Sequence, residues 1–208
     1  PFVGTYFYRI NVTRPPLDDP RVRLALAMSV DKESVCNEVL FGAFTPATAL
    51  TPPGIGGYTA EAGIPYDLEK AKALLAEAGF PEGKGMRDIE ILYNESEDHQ
   101  LVAEALQDMW KKGLGINVTT NKQEWKVYLN SMTSLNYDVV RAGWIADFLD
   151  PMNYCECFTT NNGNNRTGWS NPQYDELEKK ARNEIDPKQR FAYMQDAEKL
   201  LLSQTPII

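Results

Sequence analysis

The chain has 208 residues, 43% of them hydrophobic, which is enough for one large domain or two small ones. Its 21 lysines and arginines against 29 aspartates and glutamates give a formal charge of −8, which argues against a general nucleic-acid-binding protein. No stretch approaches the ~20 apolar residues of a membrane-spanning helix. The chain starts at Pro1 without a methionine or a signal peptide and ends in an apolar run, so we expect a piece of a longer protein.

Hydrophobic periodicity predicts alternating strands and helices. Strands are predicted over residues 6–12, 89–94, 116–121 and 137–142, with residues 205–208 as the start of another. Helices are predicted over residues 20–28, 31–41, 67–78, 97–112, 124–133, 172–183 and 187–203, mostly behind Asp, Asn or Ser caps. A loop rich in Pro and Gly, over residues 43–66, is expected to be a surface feature or a ligand flap. The strand–helix order from residue 89 to residue 142 predicts an α/β fold with a parallel or mixed sheet flanked by helices.

The stretch of residues 137–151 has the composition of a ligand-binding strand end. A β-rich segment is followed by Gly143, Trp144 and Asp147, and Pro151 then prevents the strand from continuing. Ligands of open α/β sheets bind beyond the carboxyl ends of strands. Two interpretations stay open from these residues alone: a capped strand end with a core tryptophan, or a binding site with a lone carboxylate.

The sequence gives little support for an enzymatic site or a metal site. His99, the only histidine, is predicted in the first turn of a helix that follows a strand, at the same sheet edge as Asp147. Asp147 and Asp150 could be paired carboxylates of a carbohydrate enzyme, but no Gly-x-Ser-x-Gly elbow is present and metal ligands are too few for a zinc site. Composition favours a binding module over an enzyme, with no metal or cofactor. The chain has three cysteines, an odd number, and they are predicted to be buried or free thiols: Cys36, Cys155 and Cys157.

A series of motifs resembles the extracytoplasmic solute-binding proteins of peptide ABC transporters, especially the oligopeptide-binding members of enteric type. The most specific motif is Arg-Ala-Gly-Trp-Ile-Ala-Asp at residues 141–147. The others follow in the family's order at residues 19–26, 30–33, 51–54, 66–75, 110–118, 123–126, 186–190, 197–201 and 205–208. The resemblance therefore covers essentially the whole chain.

The resemblance implies a fold and a function. Residues 1–208 would form a single ligand-binding lobe of a class II periplasmic-binding-protein-like fold, lying between the two hinge crossovers of a longer receptor. That receptor would be the monomeric, non-catalytic substrate-binding component of an ABC importer. It would bind extended oligopeptides, work with the membrane permease subunits, and reside in the periplasm or as a surface lipoprotein.

The family's main contacts carry over to the 141–147 motif. Asp147 matches the carboxylate that pairs with the α-ammonium group of the peptide. Gly143 and Ile145 match the segment whose backbone pairs with the extended peptide, which is β-augmentation.

Side-chain contacts are implied at five further positions. Trp144 and Trp125 match walls of roomy pockets, and Arg141 and His99 match basic groups near peptide carboxylates. Phe7, on the first strand, is a further candidate contact.

Two departures from the enteric type bear on the ligand. Its disulfide between hinge strand and binding strand is absent, because Gly4 and Ile145 occupy those positions, and one of its basic residues is replaced by Met132. Peptide length is therefore open, and so are other solutes on the same scaffold: a murein peptide, a dipeptide or a metal chelate. An α/β hydrolase is a remote alternative.

Overall fold

A four-stranded mixed sheet lies at the centre of the computed structural model, which describes residues 3–208. The strands are β1 (Gly4–Ile10), β2 (Ile89–Asn94), β3 (Val118–Gln123) and β4 (Val139–Ile145), in the order β1-β4-β2-β3. β2 runs parallel to β3 and β4, and β1 runs antiparallel to β4. The predicted mixed sheet with flanking helices is confirmed.

Eight α-helices surround the sheet in the described part of the chain. They are α1 (Pro20–Met28), α2 (Lys32–Ser34), α3 (Leu68–Glu77), α4 (Glu97–Leu114), α5 (Trp125–Thr133), α6 (Met152–Cys155), α7 (Pro172–Asn183) and α8 (Pro187–Gln204). Asp19, Asp67, Asn171 and Asp186 accept hydrogen bonds from the first-turn amides of their helices, as their positions predicted. Ser96 stands at the N-cap of α4, but its hydroxyl makes no capping bond.

Some boundaries differ from the predictions. β4 continues to Ile145 instead of ending at residue 142, because its pairing with β1 extends along all seven residues. The single helix predicted over residues 31–41 is a short α2 followed by a π-helical segment, Val35–Val39. The predicted strand at residues 205–208 lies beside β1, where Tyr8 and Ile208 exchange main-chain hydrogen bonds of 3.0 and 2.9 Å.

The sheet has two covered faces. On the α4 face, Ile10, Ile91 and Val139 pack among α1, α3 and α4 in the largest core cluster. On the α5 face, Val140 packs against α5, and Ala142 packs against the segment formed by α6–α8. Because side chains alternate along β4, its odd-numbered residues face α4 and its even-numbered residues face α5.

The loop of residues 43–66 is fastened to α8 at its centre. The buried Glu198 carboxylate accepts a 2.8 Å hydrogen bond from the Thr51 amide and a 2.9 Å hydrogen bond from the Tyr58 hydroxyl. Burial raises the pKa of Glu198. The Thr51–Tyr58 section is therefore tied to the core at both of its ends.

The cysteines are buried and free, as predicted: Cys36, Cys155 and Cys157. Among the helices described, none is long and apolar enough to cross a membrane. No group of three or more potential His, Cys, Asp or Glu metal ligands occurs within residues 3–208.

Candidate functional site

The two edges of β4 are unequally paired. Its ladder with β1 runs along the whole strand, whereas its ladder with β2 contains only Val139 and Val140. From Arg141 onwards, the edge of β4 that faces away from β1 therefore has no strand partner in the described structure.

The backbone groups on this open edge follow from the ladder register. The Ala146 amide donates to the Val3 carbonyl at 2.9 Å, so the even-numbered residues of β4 direct their backbone groups towards β1. In an antiparallel pair these residues alternate with residues whose N–H and C=O groups point outwards. Gly143 and Ile145 thus present both groups to the open edge, where no hydrogen-bond partner occurs within residues 3–208.

Helix α5 contacts the point where this open edge begins. The Tyr128 hydroxyl donates a 2.6 Å hydrogen bond to the Arg141 carbonyl, so α5 is held against the point where the edge opens. Trp125 stacks on Tyr128 with ring centroids 5.4 Å apart, and 51% of its surface is exposed. We use the name β4 slot for two neighbouring features: the open backbone of Gly143–Ile145 and the Trp125–Tyr128 pair, which the Tyr128–Arg141 hydrogen bond joins to the start of that edge.

Asp147 stands just beyond the end of β4 with a free carboxylate. Its amide donates to Asn153 Oδ1 at 3.0 Å, which fixes the backbone, while its exposed side chain makes no ion pair or hydrogen bond to any other described residue. Trp144 Nε1 donates to the same Asn153 oxygen at 2.8 Å. One buried amide therefore positions both the indole and the chain that carries the carboxylate.

Asp150 has a different environment. Its carboxylate receives hydrogen bonds of 3.0 and 2.7 Å from the Arg190 guanidinium and one of 2.8 Å from the Met152 amide. Burial alone would raise the pKa of Asp150, but the bonds from Arg190 and Met152 outweigh it and lower the pKa. Asp150 is a structural anchor, so the interpretation of Asp147 and Asp150 as a catalytic carboxylate pair is wrong.

Arg141 and His99 lie together on the α4 face. The Arg141 guanidinium sits 4.9 Å from the centre of the Tyr6 ring, and the Tyr6 hydroxyl lies 3.4 Å from His99 Nδ1. Burial, and then the charge of Arg141, lowers the pKa of His99 to about 4. At neutral pH, His99 therefore offers a hydrogen bond here, and Arg141 supplies the positive charge.

Phe7 is placed elsewhere than predicted. Its side chain is 3% exposed and packs against Phe158, with ring centroids 6.1 Å apart. Because it belongs to the core on the α5 face, its side chain does not line the slot.

The structure agrees with the alignment of Gly4 and Ile145 to the two disulfide positions of the enteric type. Gly4 and Ile145 are Cα partners in the β1–β4 ladder, the relation that the missing disulfide requires. A Cβ atom on Gly4 would lie 2.8 Å from the Trp144 carbonyl oxygen, so a side chain at this position needs the backbone to shift.

Arg9 was not singled out from the sequence. It is 5% exposed on the α5 face, where Nη1 lies 2.9 Å from Met132 Sδ and Nη2 donates to the Asn164 carbonyl at 3.2 Å. The sequence could have indicated that Arg9 is buried, because side chains alternate along a strand and Arg9 lies two residues after Phe7, on the same buried face.

Comparison with known proteins decides the family. The model of the bacterial extracellular solute-binding proteins, family 5 (middle region), matches residues 1–166. The chain belongs to this family.

The family's relatives align with the whole of this chain. The periplasmic murein peptide-binding protein MppA of Escherichia coli is 38% identical over 214 residues, covering 100% of this chain and 40% of MppA. The oligopeptide-binding protein OppA of Bacillus subtilis is 34% identical over 215 residues, covering 100% of this chain and 39% of OppA. The chain thus spans about 40% of the length of these family members.

A solved family structure has the same fold. Haemophilus influenzae OppA in complex with the peptide RPPGFSPFR superposes with a TM-score of 0.90 at 32% identity, covering 100% of this chain and 42% of that one. The predicted periplasmic-binding-protein-like fold is confirmed.

Proposed function

We propose that this chain is the peptide-binding lobe of the substrate-binding component of an ABC importer, and that it binds extended oligopeptides by their free N-terminus and backbone. The observation that carries the proposal is the open edge of β4, which ends at the unpaired carboxylate of Asp147. An edge strand that ends at a free carboxylate matches a peptide backbone that ends in an ammonium group.

The open edge of β4 and the Asp147 carboxylate contribute differently to peptide recognition. The outward N–H and C=O groups of Gly143 and Ile145 can pair with any peptide backbone, which makes binding tolerant of sequence. Asp147 gives direction, because a charge-assisted bond to an α-ammonium group is lost when the peptide is reversed or its amine is blocked. Trp125 and Trp144 then offer flat apolar surfaces to the ligand's side chains.

The lobe would act within a longer receptor. Residues 1–208 form one side of the site between two hinge crossovers, and a second lobe closes over the peptide. The receptor is a monomer without catalytic activity, resides in the periplasm or as a surface lipoprotein, and delivers its ligand to membrane permease subunits. The alternative ligands of the same scaffold are a murein peptide, as the name of MppA suggests, a dipeptide or a metal chelate.

The test compares peptides with a free and a blocked amine. We expect Asp147→Asn in the full-length protein to weaken binding of a free-amine pentapeptide by at least ~2 kcal/mol, because a charge partner is lost. Isothermal titration calorimetry measures this. The N-acetylated peptide should bind weakly to both the native protein and the variant.

Asp196→Asn provides the matched control, since Asp196 is exposed on α8 and makes no hydrogen bond to another described residue. It should leave affinity unchanged. Equal affinity of the native protein for free and acetylated peptides would contradict the proposal.

A further inference from the structure

The buried side-chain amide of Asn153 joins two residues of the 141–147 motif. Asn153 is 1% exposed, so it does not present a surface to a ligand. Its Oδ1 accepts a 3.0 Å hydrogen bond from the Asp147 amide and a 2.8 Å hydrogen bond from Trp144 Nε1. A backbone amide and an indole N–H are donors only, so the oxygen of the Asn153 amide must face the motif.

The helix that carries Asn153 is itself firmly fixed. All four residues of α6 are buried. The Tyr154 hydroxyl donates to the Val3 carbonyl at 3.0 Å, and the same carbonyl accepts the Ala146 amide at 2.9 Å. Just before α6, the ion pair of Asp150 attaches the chain to α8. The Asn153 oxygen is therefore a fixed point of the core.

Asp147 is the last fixed residue before an exposed turn. Phe148 and Leu149, which follow it, are 50% and 69% exposed. Among the residues that the structure describes, Asn153 is the only hydrogen-bond partner of Asp147. The position of the Asp147 backbone thus depends on one side-chain oxygen.

The other end of the Asn153 amide shows what this arrangement costs. Nδ2 is buried and has no hydrogen-bond partner within residues 3–208, which is unfavourable for a donor. An aspartate would accept the same two hydrogen bonds and leave no donor unpaired, but it would add a negative charge close to Asp147. Asparagine supplies the acceptor and keeps this position neutral.

We propose that Asn153 is a positioning residue for peptide binding, which holds Asp147 where the α-ammonium group is recognised and couples this anchor to the Trp144 indole. The inference rests on the proposed function and deepens it. A charge-assisted hydrogen bond requires a well-placed carboxylate, so loss of the fixed point weakens amine recognition although Asp147 itself is unchanged. Because the indole shares the oxygen, a change at Trp144 also reaches Asp147.

The first test measures the preference for a free amine in the full-length protein. The preference is the ratio of the affinities for a pentapeptide and for its N-acetylated form, both measured by calorimetry. Asn153→Leu removes the acceptor and keeps a side chain of similar size, so we expect the ratio to fall about tenfold. Asn153→Asp keeps both hydrogen bonds and should keep the ratio at the native value or above it.

Two outcomes of this test overturn the proposal. One is an unchanged ratio in a folded Asn153→Leu variant. The other is a ratio that falls equally in Asn153→Asp, because the acceptor oxygen is then not what matters.

Asn11 provides the matched control, at the opposite end of β4. It is also 1% exposed, and its side chain donates to the Leu135 and Tyr137 carbonyls at 2.8 and 3.1 Å and accepts the Thr13 amide at 3.1 Å. Asn11→Leu should destabilise the protein and leave the ratio unchanged. An equal fall of the ratio in both leucine variants would show a general loosening of the lobe and would overturn the specific role of Asn153.

The second test acts on the other partner of the oxygen. Trp144→Phe removes the indole N–H and keeps an aromatic ring, so the ratio should fall about threefold. A direct effect of the ring on peptide side chains is the same for free and acetylated peptides, so it cancels in the ratio. If Asn153→Leu does not fold, Trp144→Phe decides, and an unchanged ratio in that variant overturns the proposal.

Amide hydrogen exchange without peptide distinguishes this inference from the proposed function. In Asn153→Leu the segment that contains Asp147 should exchange at least about tenfold faster than in the native protein, and in Asn153→Asp at the native rate. Equal exchange in Asn153→Leu and the native protein overturns the positioning role alone. If the native protein binds free and acetylated peptides equally, the proposed function fails, and this inference fails with it.

Discussion

The two halves of β4 differ although they belong to one continuous strand. Val139 and Val140 are fully buried and paired with strands on both sides. Gly143 and Ile145 are exposed and paired on one side only. Because β2 pairs with the first half alone, one half serves as scaffold and the other leaves a row of backbone donors and acceptors free. An edge of this kind is a hazard for a protein unless a ligand is meant to fill it.

The largest expected effect is a difference in stability between a substitution in the first half of β4 and one in the second half. Val139→Asp buries a carboxylate in the main core and should lower the free energy of unfolding by more than about 4 kcal/mol. Ile145→Asp, on the same face but 58% exposed, should change it by less than about 0.5 kcal/mol. Urea denaturation of the full-length protein measures both, and similar losses would show that the second half is also scaffold.

A smaller effect distinguishes the two halves of β4 by what their backbone N–H groups bind. Gly143→Pro removes an outward N–H group, so we expect peptide binding to weaken about tenfold while the protein stays folded. Val140→Pro removes an N–H group directed to β1 and should cost about 3 kcal/mol of stability. Calorimetry and urea denaturation of both variants test the contrast. If Gly143→Pro binds peptide normally, β-augmentation at this edge is excluded.

The smallest effect is a pH dependence at the open half. The pKa of His99 is about 4, below its ordinary value of 6.5, chiefly through burial. As the pH falls from 6.5 towards 4, the unfolded chain takes up the proton before the folded one, so His99 contributes stability that is complete above pH 6.5 and lost across this window.

His99→Gln should therefore lose less stability than the native protein does between pH 7 and pH 4, as measured by thermal unfolding without peptide. The lowered pKa of Asp138 places its own loss of stability below 3.8, outside that window. An unchanged profile in His99→Gln would mean that the pKa of His99 is the same in the folded and the unfolded protein.

Much of the fold could be predicted from local pattern. Asp caps, glycine stops and apolar periodicity located the long helices, and the strand–helix order predicted the mixed sheet. The resemblance placed the 141–147 motif at a site; in the structure Gly143 and Ile145 lie on an open strand edge, and Asp147 follows just beyond the end of that strand. The end of β4 was missed because it depends on β1, which lies more than 100 residues away in the chain.

Packing decided which side chains are free and which are enclosed, and the sequence pattern could not predict this. Asp147 and Asp150 look alike in sequence, but only packing brings Arg190 to one of them and leaves the other free. Phe7 was predicted to touch ligand, yet its face of the sheet is closed by Phe158.

By itself, the sequence determined the secondary structure, the order of elements and the residues available for a site, because these depend on neighbours along the chain. Only the tertiary structure decided which of them are free to bind. Whether a backbone edge is open, whether His99 is charged and whether Asp150 has a counter-charge all depend on groups brought together from distant segments.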